Sequence, residues 1–255
     1  MKILLTNDDG IYAQGLWALY EAFTLTDTAF VVAPDRERSA VGHGITLNEP
    51  LRIKRMAVCN GNYGYAVNGT PADCVKLGFQ EILKDRPDIV VSGINPGANV
   101  GINLNYSGTV GAAREAALNN IPAIAVSVYG WEVRNYEAVA QFIKELAVKV
   151  VEVGLPFGVF LNVNIPNKPW NEIQGIQISK QGVSAPPENI EKRTDPRKRE
   201  YYWQGCDIQK IFKNPEIDSA ALERDYISIT PIQCDMTDYK MIDQLKQWPI
   251  SLNGR

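Results

Sequence analysis

From residue 1 to residue 166, short apolar runs suited to buried strands alternate with amphipathic helical patterns, and few folds accept that order. Lys2, Ile3, Leu4, Leu5 and Thr6 make a first strand, after which Leu16, Leu19, Tyr20 and Phe23 recur at helical spacing. Residues 30–33 form a second strand, closed by Pro34. Residues 88–92, 123–127 and 159–164 read as further buried strands. A helix from about 107–109 to 118 separates the first two of these. A longer helix, with Val139, Phe142, Ile143, Leu146 and Val150 on one face, precedes the third. In Thr70-Pro71-Ala72-Asp73, Thr70 suits a helix N-cap, Pro71 the first helical position and Asp73 the third. The pattern predicts an α/β fold: a mostly parallel sheet with helices on both faces.

After about residue 167 the pattern changes. Residues 176–179, 201–203 and 226–229 are short strand candidates between Pro-rich and charged stretches, and residues 238–248 suit a closing helix. The mixed-charge segment 191–199 reads as a solvated loop. The expected organisation is an α/β core over 1–166 and a C-terminal extension over 167–255, within a single structural domain. The extension would supply a β-rich hairpin arm, packed on a second copy of the chain, and a terminal helix. Tyr201, Tyr202, Trp203 and Tyr226 suit packing in such an arm better than stacking on a base.

A net charge of −3 and a pI near 5.4 supply no basic face, so neither duplex DNA or RNA nor an anionic membrane is an expected partner. A single nucleotide remains compatible with that charge. No run approaches the ~20 apolar residues of a membrane span. The N-terminus lacks the apolar segment of a secretion signal, and Cys59, Cys74, Cys206 and Cys234 contain no C-x-x-C pair. Reduced thiols and a cytoplasmic location are the expectation.

In an open parallel sheet, ligands gather at the carboxyl ends of the strands. There the chain carries Asn7-Asp8-Asp9-Gly10 after the first strand, Asp35-Arg36-Glu37-Arg38-Ser39 after the second, and Ser92-Gly93-Ile94-Asn95-Pro96-Gly97 after the strand at 88–92. Adjacent Asp8 and Asp9 repel each other unless a cation lies between them. Alone they suit a turn or a helix cap as well as a metal. Joined by Ser39 and Asn95 they make an all-oxygen donor set for a hard ion such as Mg²⁺ or Mn²⁺. The loop 92–111 then brings five glycines, four asparagines and no charged side chain into a helix start. Ser107, Gly108 and Thr109 there are a candidate phosphate cradle, with Asn99 reaching in from the loop.

Absences narrow the chemistry. No Gly-Lys dipeptide occurs, which removes a Walker-type loop, and no G-x-G-x-x-G dinucleotide fingerprint follows a strand. His43 is the only histidine, so multi-histidine zinc sites are excluded. It reads first as a loop residue with a hydrogen bond and second as a proton donor to a leaving group.

N-D-D-G after the first strand, D-R-x-R-S after the second, N-G-T-P-A-D-C-V, S-G-I-N-x-G-x-N-x-G followed by Y-S-G-T-V-G-A-A, and Y-I-S-I-T-P at 226–231 together resemble the SurE (survival protein E) family of 5′-nucleotidases. The resemblance implies a Rossmann-like core and a metal-dependent phosphatase acting on nucleoside 5′-monophosphates, often also on 3′-monophosphates and short polyphosphate. It implies one divalent ion per subunit, Mg²⁺ or Mn²⁺, held by Asp8, Asp9, Ser39 and Asn95. It further implies a homodimer or homotetramer built through an exchanged C-terminal arm. There are two departures: Ala40 stands where the family often has glycine, and residues 205–217 follow no family pattern.

The expected catalytic residues are Asp8 and Asp9, one of which positions or deprotonates the attacking water, with direct attack by Asp8 on phosphorus as the other route. The competing reading, of a different class, is a nucleotide-responsive binding protein without turnover.

Overall fold

A computed structural model describes residues 1–58, 61–183, 190–204 and 214–250. Its centre is a nine-stranded sheet. The strands are β1 (Lys2–Thr6), β2 (Thr28–Pro34), β3 (Ile53–Ala57), β4 (Tyr63–Val67), β5 (Ile89–Pro96), β6 (Ala123–Tyr129), β7 (Val159–Pro166), β8 (Gly175–Ile178) and, after a separate hairpin, β11 (Tyr226–Gln233). Their order is β3-β4-β2-β1-β5-β6-β7-β11-β8. Only the β3–β4 and β7–β11 pairs are antiparallel; the remaining pairs are parallel.

Alternate residues of the central strands feed two cores. Ile3, Leu5, Val31, Val91, Ile124 and Val126 face helices α1 (Gln14–Thr24) and α4 (Tyr136–Val153), which supply Leu16, Leu19, Phe23, Val139, Ile143 and Val150. Leu4, Val32, Val90, Ala123 and Ala125 face α2 (Pro71–Leu77) and α3 (Gly108–Leu118), which supply Val75, Val110, Ala113 and Ala116. Each fully buried Leu, Ile or Phe contributes about 1.5–3 kcal/mol. The α/β reading, with helices on both faces, therefore holds, and Thr70 and Asp73 form the expected capping box at α2.

The C-terminal residues divide between the main sheet, a separate hairpin and a terminal helix. β8 and β11 join the main sheet, and α5 (Asp218–Glu223) packs beside β11. β9 (Ile190–Thr194) and β10 (Glu200–Gln204) form a two-stranded antiparallel sheet of their own, and α6 (Tyr239–Leu245) follows β11. The segment read as a solvated loop, 191–199, is solvated, but its first half is β9 rather than loop. Lys192–Glu200 and Arg193–Glu191 ion pairs flank its backbone ladder and tolerate its charge. Of the segment 205–217, residues 205–213 lie outside the described residues, as do Cys59 and Cys206; Cys74 and Cys234 are free thiols.

Candidate active site

β1 leads to β2 on one side and has β5 on the other, so the chain reverses its winding direction at the β1/β5 boundary. A crevice at such a reversal is where open α/β sheets bind ligands. The loop after β1 crosses it as a closed turn. Asn7 Nδ2 donates to the Gly10 carbonyl at 3.0 Å, and the Gly10 amide donates back to Asn7 Oδ1 at 3.1 Å. Gly10 has φ +101°, and a Cβ there would lie 3.1 Å from the Arg36 carbonyl carbon. Glycine thus lets the β1 and β2 loops touch. The Arg38 amide then donates to the Asp8 carbonyl at 2.7 Å, tying the loop that bears Ser39 to the carboxylate pair. Neither aspartate caps α1, whose N-cap is Ala13.

Asp8 is buried and Asp9 is half-buried. Burial pushes the Asp8 carboxyl above the ordinary range, opposed by the Thr109 hydroxyl, which donates to Asp8 Oδ1, and by the backbone amides of Asp8, Thr109 and Gly108. Burial, then the charges of Asp8 and Glu37, push the Asp9 carboxyl up to about 7. Among the described residues no Lys or Arg forms an ion pair with either aspartate. The neighbouring Arg38 guanidinium turns instead to the Asn68 carbonyl at 2.6 Å. Among the described residues Asp9 Oδ2 is buried without a partner, an orphaned acceptor that a bound ion or water would satisfy.

The remaining candidates divide. α3 reaches the pair directly: a Cβ on Gly108 would stand 2.8 Å from Asp8 Cβ, so only glycine lets the helix start approach this closely. Ser107 uses its hydroxyl as the α3 N-cap, accepting from the Val110 amide at 3.2 Å. Ser39 is exposed and donates to Glu37 Oε1 at 2.6 Å; it makes no hydrogen bond to Asp8 or Asp9. Asn95 donates to the Gly97 carbonyl at 2.7 Å, which leaves its Oδ1 as an acceptor. Asn99 turns away from the cradle. Its Nδ2 donates to Ser127 Oγ at 2.8 Å, and its carbonyl accepts from Asn162 and Asn164 on β7.

His43 makes the loop hydrogen bond expected of it: its Nε2 lies 2.8 Å from Glu115 Oε2, within α3 and beyond its first turn. Ala40, where the family often has glycine, takes φ 56°, a region costing a non-glycine residue about 1 kcal/mol or more. Two residues near the pair escaped sequence reasoning. Glu37 is a third acid in the same loop as Ser39, a signal the D-R-E-R-S run did contain. Tyr136, at the start of α4, has its phenol pushed up by burial and by the Asp9 charge, and no sequence signal connects it with residue 9.

Thr109→Val removes the side-chain donor to Asp8 and should lower kcat about 10–100-fold, whereas Thr109→Ser should keep most of it. Steady-state kinetics on both variants checks this.

Known proteins resemble this chain over nearly its whole length. The family model described as Survival protein SurE matches residues 3–187. A protein of Desulfatibacillum aliphaticivorans named 5′-nucleotidase SurE is 54% identical over 250 residues, covering 98% of this chain and 99% of that protein. One of the same name from Geotalea daltonii is 50% identical over 252 residues, covering 98% and 100%. The crystal structure of the SurE protein from Aquifex aeolicus superposes with a TM-score of 0.84 at 40% identity, over 96% of this chain and 98% of that one.

Proposed function

The chain belongs to the SurE family, and from that premise we propose that it is a 5′-nucleotidase that hydrolyses nucleoside 5′-monophosphates with one divalent ion, Mg²⁺ or Mn²⁺, per subunit. The observation that carries the reading is the buried Asp9 Oδ2 beside Asp8, which among the described residues has no hydrogen-bond partner, while no described Lys or Arg pairs with either aspartate. Two carboxylates in a half-buried rim repel each other unless a cation shares them, and the neutral oxygens of Asn95 and, after leaving Glu37, Ser39 suit a hard ion. An ion held by Asp8, Asp9, Ser39 and Asn95 would supply Lewis acidity toward the phosphoryl oxygens.

The chain's own residues do the rest. The amides at the α3 start, at Gly108 and Thr109, lie against the Asp8 carboxyl and would meet a phosphoryl anion bound beside it, where each such donor is worth about 3 kcal/mol in the transition state. The Thr109 hydroxyl orients Asp8, and one carboxylate of the pair takes the proton of the attacking water. Ser107 contributes by capping the helix start, and Asn99 by bracing the 96–101 loop on β6 and β7. Nucleoside 3′-monophosphates and short polyphosphate present the same terminal phosphoryl group and belong to the proposed substrate range.

The reading extends to assembly and location. Ile190, Tyr201, Tyr202 and Trp203 are exposed on the β9–β10 hairpin, and we assign that hairpin to a homodimer or homotetramer contact. Among the described residues no helix is long and apolar enough to cross a membrane, and the free thiols of Cys74 and Cys234 suit the cytoplasm.

Phosphate release from AMP with Mn²⁺ or Mg²⁺, with and without chelator, tests the function. Release that the chelator abolishes is expected. Tight nucleotide binding with no release under any ion would favour the binding-protein reading instead.

A further inference from the structure

Where the base of the nucleotide goes is not set by the carboxylates or the helix start. The strand order puts β1, β5 and β6 side by side, so their exits carry Asp8 and Asp9, then Asn95, then the turn after Tyr129. Strands lie about 4.8 Å apart, which places the third exit about 10 Å from the first. That separation is comparable with the reach from the phosphate to the base in a nucleoside monophosphate.

The third exit carries Trp131. Trp131 is 85% exposed. It lies over Gly97: a Cβ there would stand 3.7 Å from the indole Cζ3 and 3.8 Å from Asn95 Nδ2, so the indole and the Asn95 amide flank one glycine. The turn that bears it is braced from the residue after β7. Asn167 Nδ2 donates to the Glu132 carbonyl at 2.6 Å, and Asn167 Oδ1 accepts from the Arg134 amide at 2.9 Å. An exposed aromatic face on a braced turn is ready to bind a flat ligand with little loss of conformational freedom.

We propose that Trp131 stacks on the nucleobase of the substrate. The inference rests on the nucleotidase reading above and deepens it. Because every base has a π-face, stacking at Trp131 favours nucleotides over other phosphomonoesters while tolerating all bases, purines somewhat more than pyrimidines.

The test compares AMP with ribose 5-phosphate, which keeps the sugar and phosphate and lacks the base. In Trp131→Ala the ratio of kcat/KM for AMP to that for ribose 5-phosphate should fall about tenfold, through KM for AMP, with a smaller fall for UMP. Trp131→Phe should recover most of the ratio and Trp131→Leu should not. An unchanged ratio, an equal fall for both substrates, or equivalence of Phe and Leu overturns the proposal. So does altered sedimentation of Trp131→Ala, which would assign the indole to a contact between copies. If the parent protein hydrolyses neither compound, the nucleotidase reading is what fails. Quenching of indole fluorescence by AMP then decides the stacking: it should be present in the parent and lost in Trp131→Ala, and its absence from the parent overturns it.

Discussion

Asp8→Asn should lose on the order of a thousandfold or more in kcat and yet melt no earlier than the parent when both are free of metal. The substitution is close to isosteric. Asn Oδ1 still accepts from the Thr109 hydroxyl, so the contact between α3 and the β1 loop survives. What disappears is charge. Asp8 is buried at a cost, shown by the upward push on its carboxyl, and it faces a second acid at the next position. Neutralising it relieves both burial and repulsion, and the fold keeps or gains stability. Function needs the charge that the fold tolerates poorly. Phosphate release and thermal unfolding on the same preparation check the two halves, and a variant with near-parental kcat would remove Asp8 from the chemistry.

The second large effect is on stability against pH. Freed of divalent ions, the protein should become less stable as pH rises from about 4 to about 7. Asp9 titrates near 7 in the folded chain and in the ordinary carboxylate range when unfolded. Over that interval the folded chain holds more protons than the unfolded one, so raising the pH favours unfolding; above 7 the loss is complete, reaching about 4 kcal/mol. Burial pushes Asp8 and Asp218 the same way. The carboxylates held low, such as Asp27 and Glu115, act oppositely and below this interval. Saturating Mn²⁺ should flatten the slope and add about 2.7 kcal/mol at a hundredfold excess over its Kd. Urea midpoints from pH 4.5 to 7.5, with and without the ion, measure it. A profile that is flat or rising in the absence of metal would mean that the pair is compensated by something else.

The parts of the fold that were legible share a property: their signals are local and strong. β1, β5, β6 and β7 are continuous apolar runs because both faces are buried, and α2 announces its start with Thr70, Pro71 and Asp73. The elements that were missed lack such signals. β3 is an edge strand whose residues are mostly exposed, so Ile53 to Ala57 shows no alternation. β9 is held by backbone pairing and cross-strand charge, and α5 is six residues long. Residues of the site divide in the same manner. Asn95 could be assigned to the rim because it follows a clear strand. His43 could not be directed toward Glu115, nor Asn99 toward β7, because those partners lie 72 and 63–65 residues away.

By itself the sequence determined the α/β class and the placing of two adjacent acids, an asparagine and a glycine-rich helix start at strand ends. Periodicity and turn chemistry are properties of neighbouring residues, and neighbouring residues are what a sequence displays. Only the tertiary structure decided that Thr109, 101 residues from Asp8, donates to it, that Glu37 and Tyr136 share the field of Asp9, and that Arg38 turns its charge elsewhere. Those contacts depend on strand order and register, which the burial of the whole sheet selects and no single segment encodes.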